Sequence, residues 1–310
     1  MTRFHKEFQT IARSLSRLEL METSMSAEPL HDDLLMMQER ESDRRYLDFY
    51  GDIGLRKGLE RYGMIQKFGV YGFFDLQLNT QANDERHTLS IDARHPAEPG
   101  LHRIFESVIR RDELHLQPHP VLPPLPETLE GLTVDWMLLQ HPLRPFEPSR
   151  PRLPGQDHPG LGIGAESMEI TYRTVARLGM DVMLTVAAHF HNAWMYLREM
   201  PFFDPFYHAQ FRVLEHMLLK EEGLNLAQAS WAVHWNCVVD EKADEEFHWR
   251  GEAQMRPRNT ILHEYLDSEE YKKKAFDYRG LHKFRLLRSK FDELWREHWE
   301  QESLTMQPRP

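Results

Sequence analysis

The spacing of apolar positions predicts that the chain begins with helices. In the first 62 residues, apolar side chains recur at steps of three and four, which is the helical period. The clearest run consists of Phe4, Phe8, Ile11, Leu15 and Leu18. A second helix is predicted over about 31–50. We therefore expect a helical N-terminal segment over 1–62.

The pattern changes after Lys67, where β-branched and aromatic residues become frequent. Apolar residues alternate at Leu76 and Leu78 before the polar patch TQANDE, and at Leu89 and Ile91 after it. Two alternating runs on either side of a polar turn predict a β-hairpin.

The next stretch, LHRIFESVIRRD at 101–112, predicts a helix. Its apolar residues Leu101, Ile104, Phe105 and Val108 fall on one helical face. The proline-dense sequence QPHPVLPPLPE that follows is tolerated by neither helix nor central strand. We predict a linker there and a strand over LTVDWMLLQ, 132–140.

A second proline-rich stretch leads to a β-α-β pattern. Glycines at 160–164 precede a helix predicted over 166–178, and Gly179 stands where helices commonly end in a left-handed residue. A strand over 181–187 and another helix follow. Glu169 and Arg173 form an i,i+4 pair on the side of the first helix opposite its apolar face.

The C-terminal third again predicts helices. Asn225 with Gln228 fits a capping box, as does Asp267 with Glu270. An apolar stripe continues through Phe284, Leu287, Phe291, Leu294 and His298. The fold class is therefore α/β, or α+β, with a mixed central sheet and helical ends. The predicted divisions are a helical segment 1–62, a core 63–205 and a helical region 206–310.

Composition and charge exclude several classes of protein. The 310 residues are 41% apolar, and the charge sum of 38 − 49 = −11 argues against binding nucleic acid through its phosphates. The N-terminal residues show no apolar core of a signal peptide, and no stretch approaches a membrane span. Cys237 is the single cysteine, so no intrachain disulfide can form. We expect a cytoplasmic protein, with homo-oligomerisation left open.

The glycines at alternate positions before a helix suggest an anion site. Glycine lets backbone approach a ligand closely, and the first turn of a helix offers unpaired N–H groups to a phosphate. Walker A would need Gly-Lys-Ser/Thr where Gly164, Ala165 and Glu166 stand, and the dinucleotide fingerprint is met only in its permissive form.

The segments LTVDWMLLQ, GLGIGAESMEITYRTVARLG, MDVMLTVAA and HNAWMYLREMPFF resemble, over about 67–205, the GNAT-type N-acyltransferases. That family places a glycine-rich turn between a strand and a helix, then a strand and a helix with an aromatic-rich end. The resemblance implies that acetyl-CoA or another acyl-CoA binds and that an amine is acylated, without a metal. The backbone around Gly160, Gly162, Ile163, Gly164 and Ala165 would hold the CoA pyrophosphate. Asn192 and Tyr196 would match the family's asparagine and its tyrosine, a general acid toward the departing thiolate.

His189 and His191 form a second candidate centre among the 18 histidines. As residues i and i+2 at the end of a strand, their rings would share a face, and either could act as a general base. Alternatively, a carboxylate could complete a zinc or non-haem iron site with them, the candidates being Asp204, Glu215 and Glu166. The protein would then be a metal-dependent hydrolase or oxygenase. Two further alternatives are histidines packed in the core and a ligand- or partner-binding protein without catalysis.

Overall fold

The computed structural model describes residues 4–24, 45–83 and 85–305, and it is mixed α/β, as predicted. The chain forms two compact units that interleave along the sequence. The first unit contains Met1–Glu113, Glu130–Leu143 and Gly160–Met180. The second contains Leu114–Leu129, Arg144–Pro159 and Asp181–Pro310. The division predicted from the sequence, 1–62, 63–205 and 206–310, stays a prediction.

The first unit combines helices with strands that lie in the order β1-β2-β3-β4. Its helices are α1 (His5–Ser14), α2 (Arg17–Leu20), α3 (Asp52–Arg61), α4 (Met64–Val70) and α5 (Gly164–Leu178). Its strands are β1 (Phe74–Ala82), β2 (His87–His95), β3 (Glu98–Leu114) and β4 (Leu129–Leu139).

The second unit is also mixed. Its helices are α6 (Phe190–Tyr196), α7 (Pro205–His216), α8 (Leu226–His234), α9 (Thr260–Asp267), α10 (Glu269–Asp277) and α11 (Arg288–Thr305). Its strands are β5 (Val182–Val186), β6 (Val238–Asp240), β7 (Glu245–Glu246), β8 (Ala253–Pro257) and β9 (Phe284–Leu286). Over the described ranges, none of the helices has both the length and the apolar character that crossing a bilayer requires.

The predicted N-terminal helix breaks at Ser16. The Ser16 side chain accepts a hydrogen bond from the Glu19 amide, and the Glu19 carboxylate accepts one from the Ser16 backbone N–H, so a new helix starts there. Leu18 consequently points to solvent, with 83% of its surface exposed, although the spacing had placed it on the apolar face. The helix predicted over about 31–50 lies largely outside the described residues, and 45–50 form a turn closed by a bridge between Tyr46 and Tyr50.

The predicted hairpin is confirmed, since β1 pairs antiparallel with β2. The helix predicted over 101–112 is wrong, because this stretch belongs to the strand β3. Ile91 faces Phe105 and Asp92 faces Arg103, so Ile104 is the extra residue of a β-bulge. Ile104 and Phe105 are therefore both buried, and the period of two is interrupted. The resulting spacing of apolar residues imitates a helix.

Helix α5 is confirmed, and it ends at Gly179, which has a φ of 77°. The predicted Glu169–Arg173 pair forms, with Arg173 Nε donating to Glu169 at 2.8 Å. The pair does not face solvent, however, because Glu169 is fully buried and α1 packs on α5. From α1, His5 Nδ1 accepts a hydrogen bond from Arg173 Nη2 at 2.8 Å.

The C-terminal region, predicted as helical, also contains strands. β8 pairs antiparallel with β5, and β6 lies between β7 and β9 in a second small sheet. The capping box at Asn225 and Gln228 is confirmed. The box predicted at Asp267 is wrong, since Ser268 caps α10 by accepting from the Tyr271 amide.

We expect the buried pair of Glu169 and Arg173 to stabilise the protein only when both partners are present. Substitution Arg173→Met leaves the Glu169 carboxylate buried without its cation, so the free energy of unfolding should fall by about 3–5 kcal/mol. The double variant Glu169→Leu/Arg173→Met should recover most of that loss, because an apolar pair leaves no charge to desolvate. Denaturant unfolding measures both values.

Lys57→Met is the matched control, since it removes a cation from the exposed pair of Lys57 with Glu22. Exposed pairs contribute little, so this variant should lose much less stability than Arg173→Met. If the free energy of unfolding fell equally in the Lys57 and Arg173 variants, burial would not be what makes the Glu169–Arg173 pair important.

Candidate functional site

The loop before α5 turns its glycines outward and its apolar side chains inward. Gly160 and Gly162 are exposed, whereas Leu161 and Ile163 are 1% and 4% exposed. The Leu161 amide donates to the Leu139 carbonyl at 3.3 Å, and the Tyr71 hydroxyl donates to the Leu161 carbonyl at 2.6 Å. The loop is thereby attached to the end of β4 with one backbone face open.

The protein's own packing does not require glycine at two of the three positions. A Cβ atom at Gly160 would meet nothing nearer than the Leu139 carbonyl oxygen at 3.5 Å, and one at Gly164 nothing nearer than Leu139 Cδ1 at 3.9 Å. Only Gly162 has a conformation that favours glycine, with a φ of 69°. The open space above Gly160 and Gly164 can accommodate a ligand that approaches the backbone.

The start of α5 retains unpaired backbone donors. Its N-cap residue, Ile163, has no side chain that could cap the helix, and the first N–H groups of any helix lack intrahelical partners. Glu166, in the first turn, is turned inward and is 7% exposed. Lys67 Nζ lies 2.6 Å from its Oε1, so the charge that would repel a phosphate is paired.

The two histidines come together, but not as residues of a strand. His189 is the N-cap of α6 and His191 lies in its first turn. The expectation of a strand continuing to His191 is thus wrong, since β5 ends at Val186. The turn into the helix nevertheless stacks the two rings, with centroids 5.4 Å apart and planes 11° apart.

Burial keeps both rings neutral. Desolvation lowers the pKa of His191 to about 3, with a smaller contribution from the charge on His189. Desolvation, followed by the charge on His234, also lowers the pKa of His189, which is only partly buried. His191 Nδ1 lies 3.1 Å from Ser230 Oγ, and this hydrogen bond holds the ring in place.

The carboxylates considered as metal ligands have other roles. Asp204 caps α7 by accepting from the Phe206 amide, and Glu215 accepts from Trp194 Nε1 at 3.0 Å. Glu166 Oε1 lies 2.6 Å from Lys67 Nζ, with which it forms an ion pair. Over residues 4–24, 45–83 and 85–305, no three His, Cys, Asp or Glu side chains are grouped so that they could hold a metal ion. The geometry therefore does not support the metal alternative.

Three residues that sequence reasoning missed surround the histidine pair. Besides Ser230, His234 lies with its ring 5.7 Å from that of His189. Gly155 has a φ of 77°, and a Cβ there would lie 2.5 Å from His189 Nε2, so this glycine makes room for the ring. Each is more than 30 residues from the pair in sequence, and no spacing pattern connects them to it.

Asn192 and Tyr196 lie one turn apart on α6, at the i,i+4 spacing. Burial raises the pKa of Tyr196, and a hydrogen bond from the Asn192 side chain partly offsets that rise. The phenol is therefore protonated at neutral pH. These two residues and the histidines belong to the second unit, whereas the glycine loop belongs to the first.

Comparison with known proteins finds no match to the chain among protein-family models, curated proteins or solved structures.

The lowered pKa of His191 predicts a pH-dependent stability. The ring titrates near 6.5 when unfolded and about 3 when folded, so between these values the unfolded state binds a proton that the native state lacks. Stability from this site is therefore complete above about pH 6.5 and falls by about 1.4 kcal/mol per pH unit below it.

Substitution His191→Gln removes this titration. The free-energy advantage of the unsubstituted protein over the variant should shrink by about 2 kcal/mol between pH 7 and pH 5. Denaturant unfolding of both proteins at both pH values measures this change. Taking the difference between the two proteins cancels the titration of other groups, such as His208, whose pKa burial lowers to about 4. A constant difference across this range would show that His191 does not titrate as described.

Proposed function

We propose that the protein is an N-acyltransferase that moves an acyl group from a CoA thioester to an amine acceptor. The observation that carries the proposal is the glycine loop, with its open backbone face at the start of a long helix. Its place in the chain supports the proposal, because β4, the loop, α5, β5 and α6 follow in the order typical of GNAT-type enzymes. Cys237 is buried and unpaired, which is consistent with the cytoplasm as its compartment.

The residues of the loop fit a CoA pyrophosphate. Backbone N–H groups from Gly160 to Ala165 are the candidate donors, except that of Leu161, which donates to the Leu139 carbonyl. The positive end of the α5 dipole favours an anion there. Lys67, from α4, is paired with the charge of Glu166 in the first turn of α5. When bound, acyl-CoA supplies an acyl group already activated as a thioester.

Transfer to an amine requires two proton movements. A C–N bond forms while the thioester C–S bond breaks, so the amine nitrogen loses a proton and the thiolate gains one. Tyr196 fits the second role, because its phenol is held protonated by burial. Among the histidines, His189 fits the first role better than His191.

The difference between the two histidines lies in basicity and access. A general base works best with a pKa near the operating pH, and a pKa of about 3 makes His191 a very weak base. His191 is also 3% exposed and hydrogen-bonded to Ser230. We therefore assign His189 as the candidate base and His191 as a positioning residue that stacks on it.

Binding of CoA is tested by placing a methyl group where the pyrophosphate would approach. Gly164→Ala meets no protein atom within 3.9 Å and should leave stability unchanged or raise it by up to about 1 kcal/mol, because alanine favours helix. The same methyl should weaken CoA binding by about tenfold or more. Calorimetric titration with CoA and acetyl-CoA measures the affinity.

Gly69→Ala is the control, since it also adds a methyl in open space on a helix of the first unit. It should leave CoA affinity unchanged. If the unsubstituted protein binds no CoA species, or if both alanine variants bind equally well, the loop is not the cofactor site.

The role of Tyr196 has a separate test in the second unit. Tyr196→Phe removes the proton donor and keeps the ring, so the acyl-transfer kcat should fall by about 10²–10³-fold with CoA affinity unchanged. Release of free thiol from acetyl-CoA, in the presence of an amine acceptor library, measures turnover. An unaltered kcat would remove Tyr196 from the mechanism.

A further inference from the structure

The first unit contains a largely apolar cavity that acyl transfer does not use. Its empty space, with the open solvent at its mouth included, is about 800 Å³. Residues from α2, α3, α5 and the strands β2 and β3 line it. The apolar lining includes Leu20, Leu55, Leu89, Phe105, Ile109 and Ile170.

The hydroxyl groups in the wall bond to one another or to backbone carbonyls at the start of α5 and within it. The Tyr46 hydroxyl lies 3.4 Å from Ser107 Oγ, and the Tyr50 hydroxyl donates to Thr174 Oγ1 at 3.3 Å. Both distances are long for a hydroxyl pair. The wall is therefore mostly neutral, and it favours a ligand with an apolar body.

Two arginines of α5 line the same cavity, and their charges are balanced differently. Arg173 is paired with the buried carboxylate of Glu169. Arg177 donates to the Ala12 carbonyl, and within the described ranges no carboxylate lies within salt-bridge distance of it. Its charge acts on the cavity tyrosines, where it partly offsets the rise in pKa that burial causes at Tyr50 and Tyr62. One partly buried positive charge thus faces an apolar space.

We propose that this cavity binds a monocarboxylic acid with an apolar chain, its carboxylate on the Arg177 guanidinium. A partly desolvated cation interacts most strongly with an anion, and guanidinium matches a carboxylate with two parallel hydrogen bonds. The positive charge of Arg177 matches the one negative charge of the acid, and the apolar wall would bury the hydrocarbon chain of the acid. This site is independent of the glycine loop and does not rest on the acyltransferase proposal.

A purely structural role for Arg177 is the competing explanation. Its bond to Ala12 satisfies a carbonyl in the last turn of α1, which has no intrahelical partner. This role would affect stability in the variant but would not make binding depend on the charge of a ligand. The test therefore compares a charged ligand with a neutral one.

The experiment measures decanoate and 1-decanol binding by calorimetry on the full chain. The unsubstituted protein should bind decanoate more tightly than decanol. Arg177→Met keeps the apolar stem and removes the charge, so it should weaken decanoate binding by about tenfold or more and leave decanol binding unchanged. Arg61→Met, an exposed arginine in the same unit, is the control for net charge and should change neither affinity.

A second variant fills the cavity without touching the charge. Gly58 lines the cavity on α3, and a Cβ there meets only Leu20 Cδ2, at 3.8 Å. Gly58→Leu should fold, because leucine favours helix, and should weaken both decanoate and decanol binding. Unfolding measurements on each variant establish that the protein tested is folded.

Several results would overturn the proposal. They are absence of decanoate binding, equal affinity for decanoate and decanol, an Arg177→Met affinity equal to that of the unsubstituted protein, and binding that survives Gly58→Leu. Titration of the same variants with acetyl-CoA separates the two proposals, since Arg177→Met should not alter CoA affinity. Loss of decanoate binding alone would leave the acyltransferase proposal standing, and loss of CoA binding alone would leave this one standing.

Discussion

The buried ion pair between Glu169 and Arg173 is the constraint on which the first unit depends. A fully buried carboxylate is tolerated only when a cation and hydrogen bonds replace its water. Arg173 supplies the cation, and His5 Nδ1 of α1 accepts a hydrogen bond from its guanidinium. The polar face of α5 is therefore an internal surface covered by α1.

The two ends of α5 differ in their chemistry. At its start, Lys67 pairs Glu166, and the glycine loop keeps an open backbone face. At its end, Arg177 faces a cavity with no carboxylate to balance it among the described residues. Glu166 and Glu169 are already paired with cations, and the two anion sites that we propose lie at the N-terminal N–H groups of α5 and at the Arg177 guanidinium. In the second unit, burial keeps the candidate site residues uncharged. His189 and His191 stack as neutral rings, and the Tyr196 phenol stays protonated.

Local signals in the sequence predicted many of the elements. The β1–β2 hairpin, α5 with its end at Gly179, and the capping box at Asn225 all depend on contacts between residues near in sequence, so short patterns reveal them. The strand β3 was predicted as a helix because the bulge at Ile104 breaks the period of two. A bulge forms only where a partner strand is present, and the pattern of β3 alone contains no sign of that partner. Likewise, the Ser16 box ends α1 earlier than apolar spacing suggests.

The sequence by itself determined the mixed α/β class, the glycine-rich turn before a helix, and the i,i+4 pairing of Glu169 with Arg173. These follow from local backbone preferences and from the helical period. Only the tertiary structure decided that this ion pair is buried, that Glu166 turns toward Lys67, and that Gly155 and Ser230 surround the histidines. It alone also revealed the cavity at Arg177. The reason is that burial and charge balance arise between segments far apart in the chain, and no local pattern encodes which segments meet.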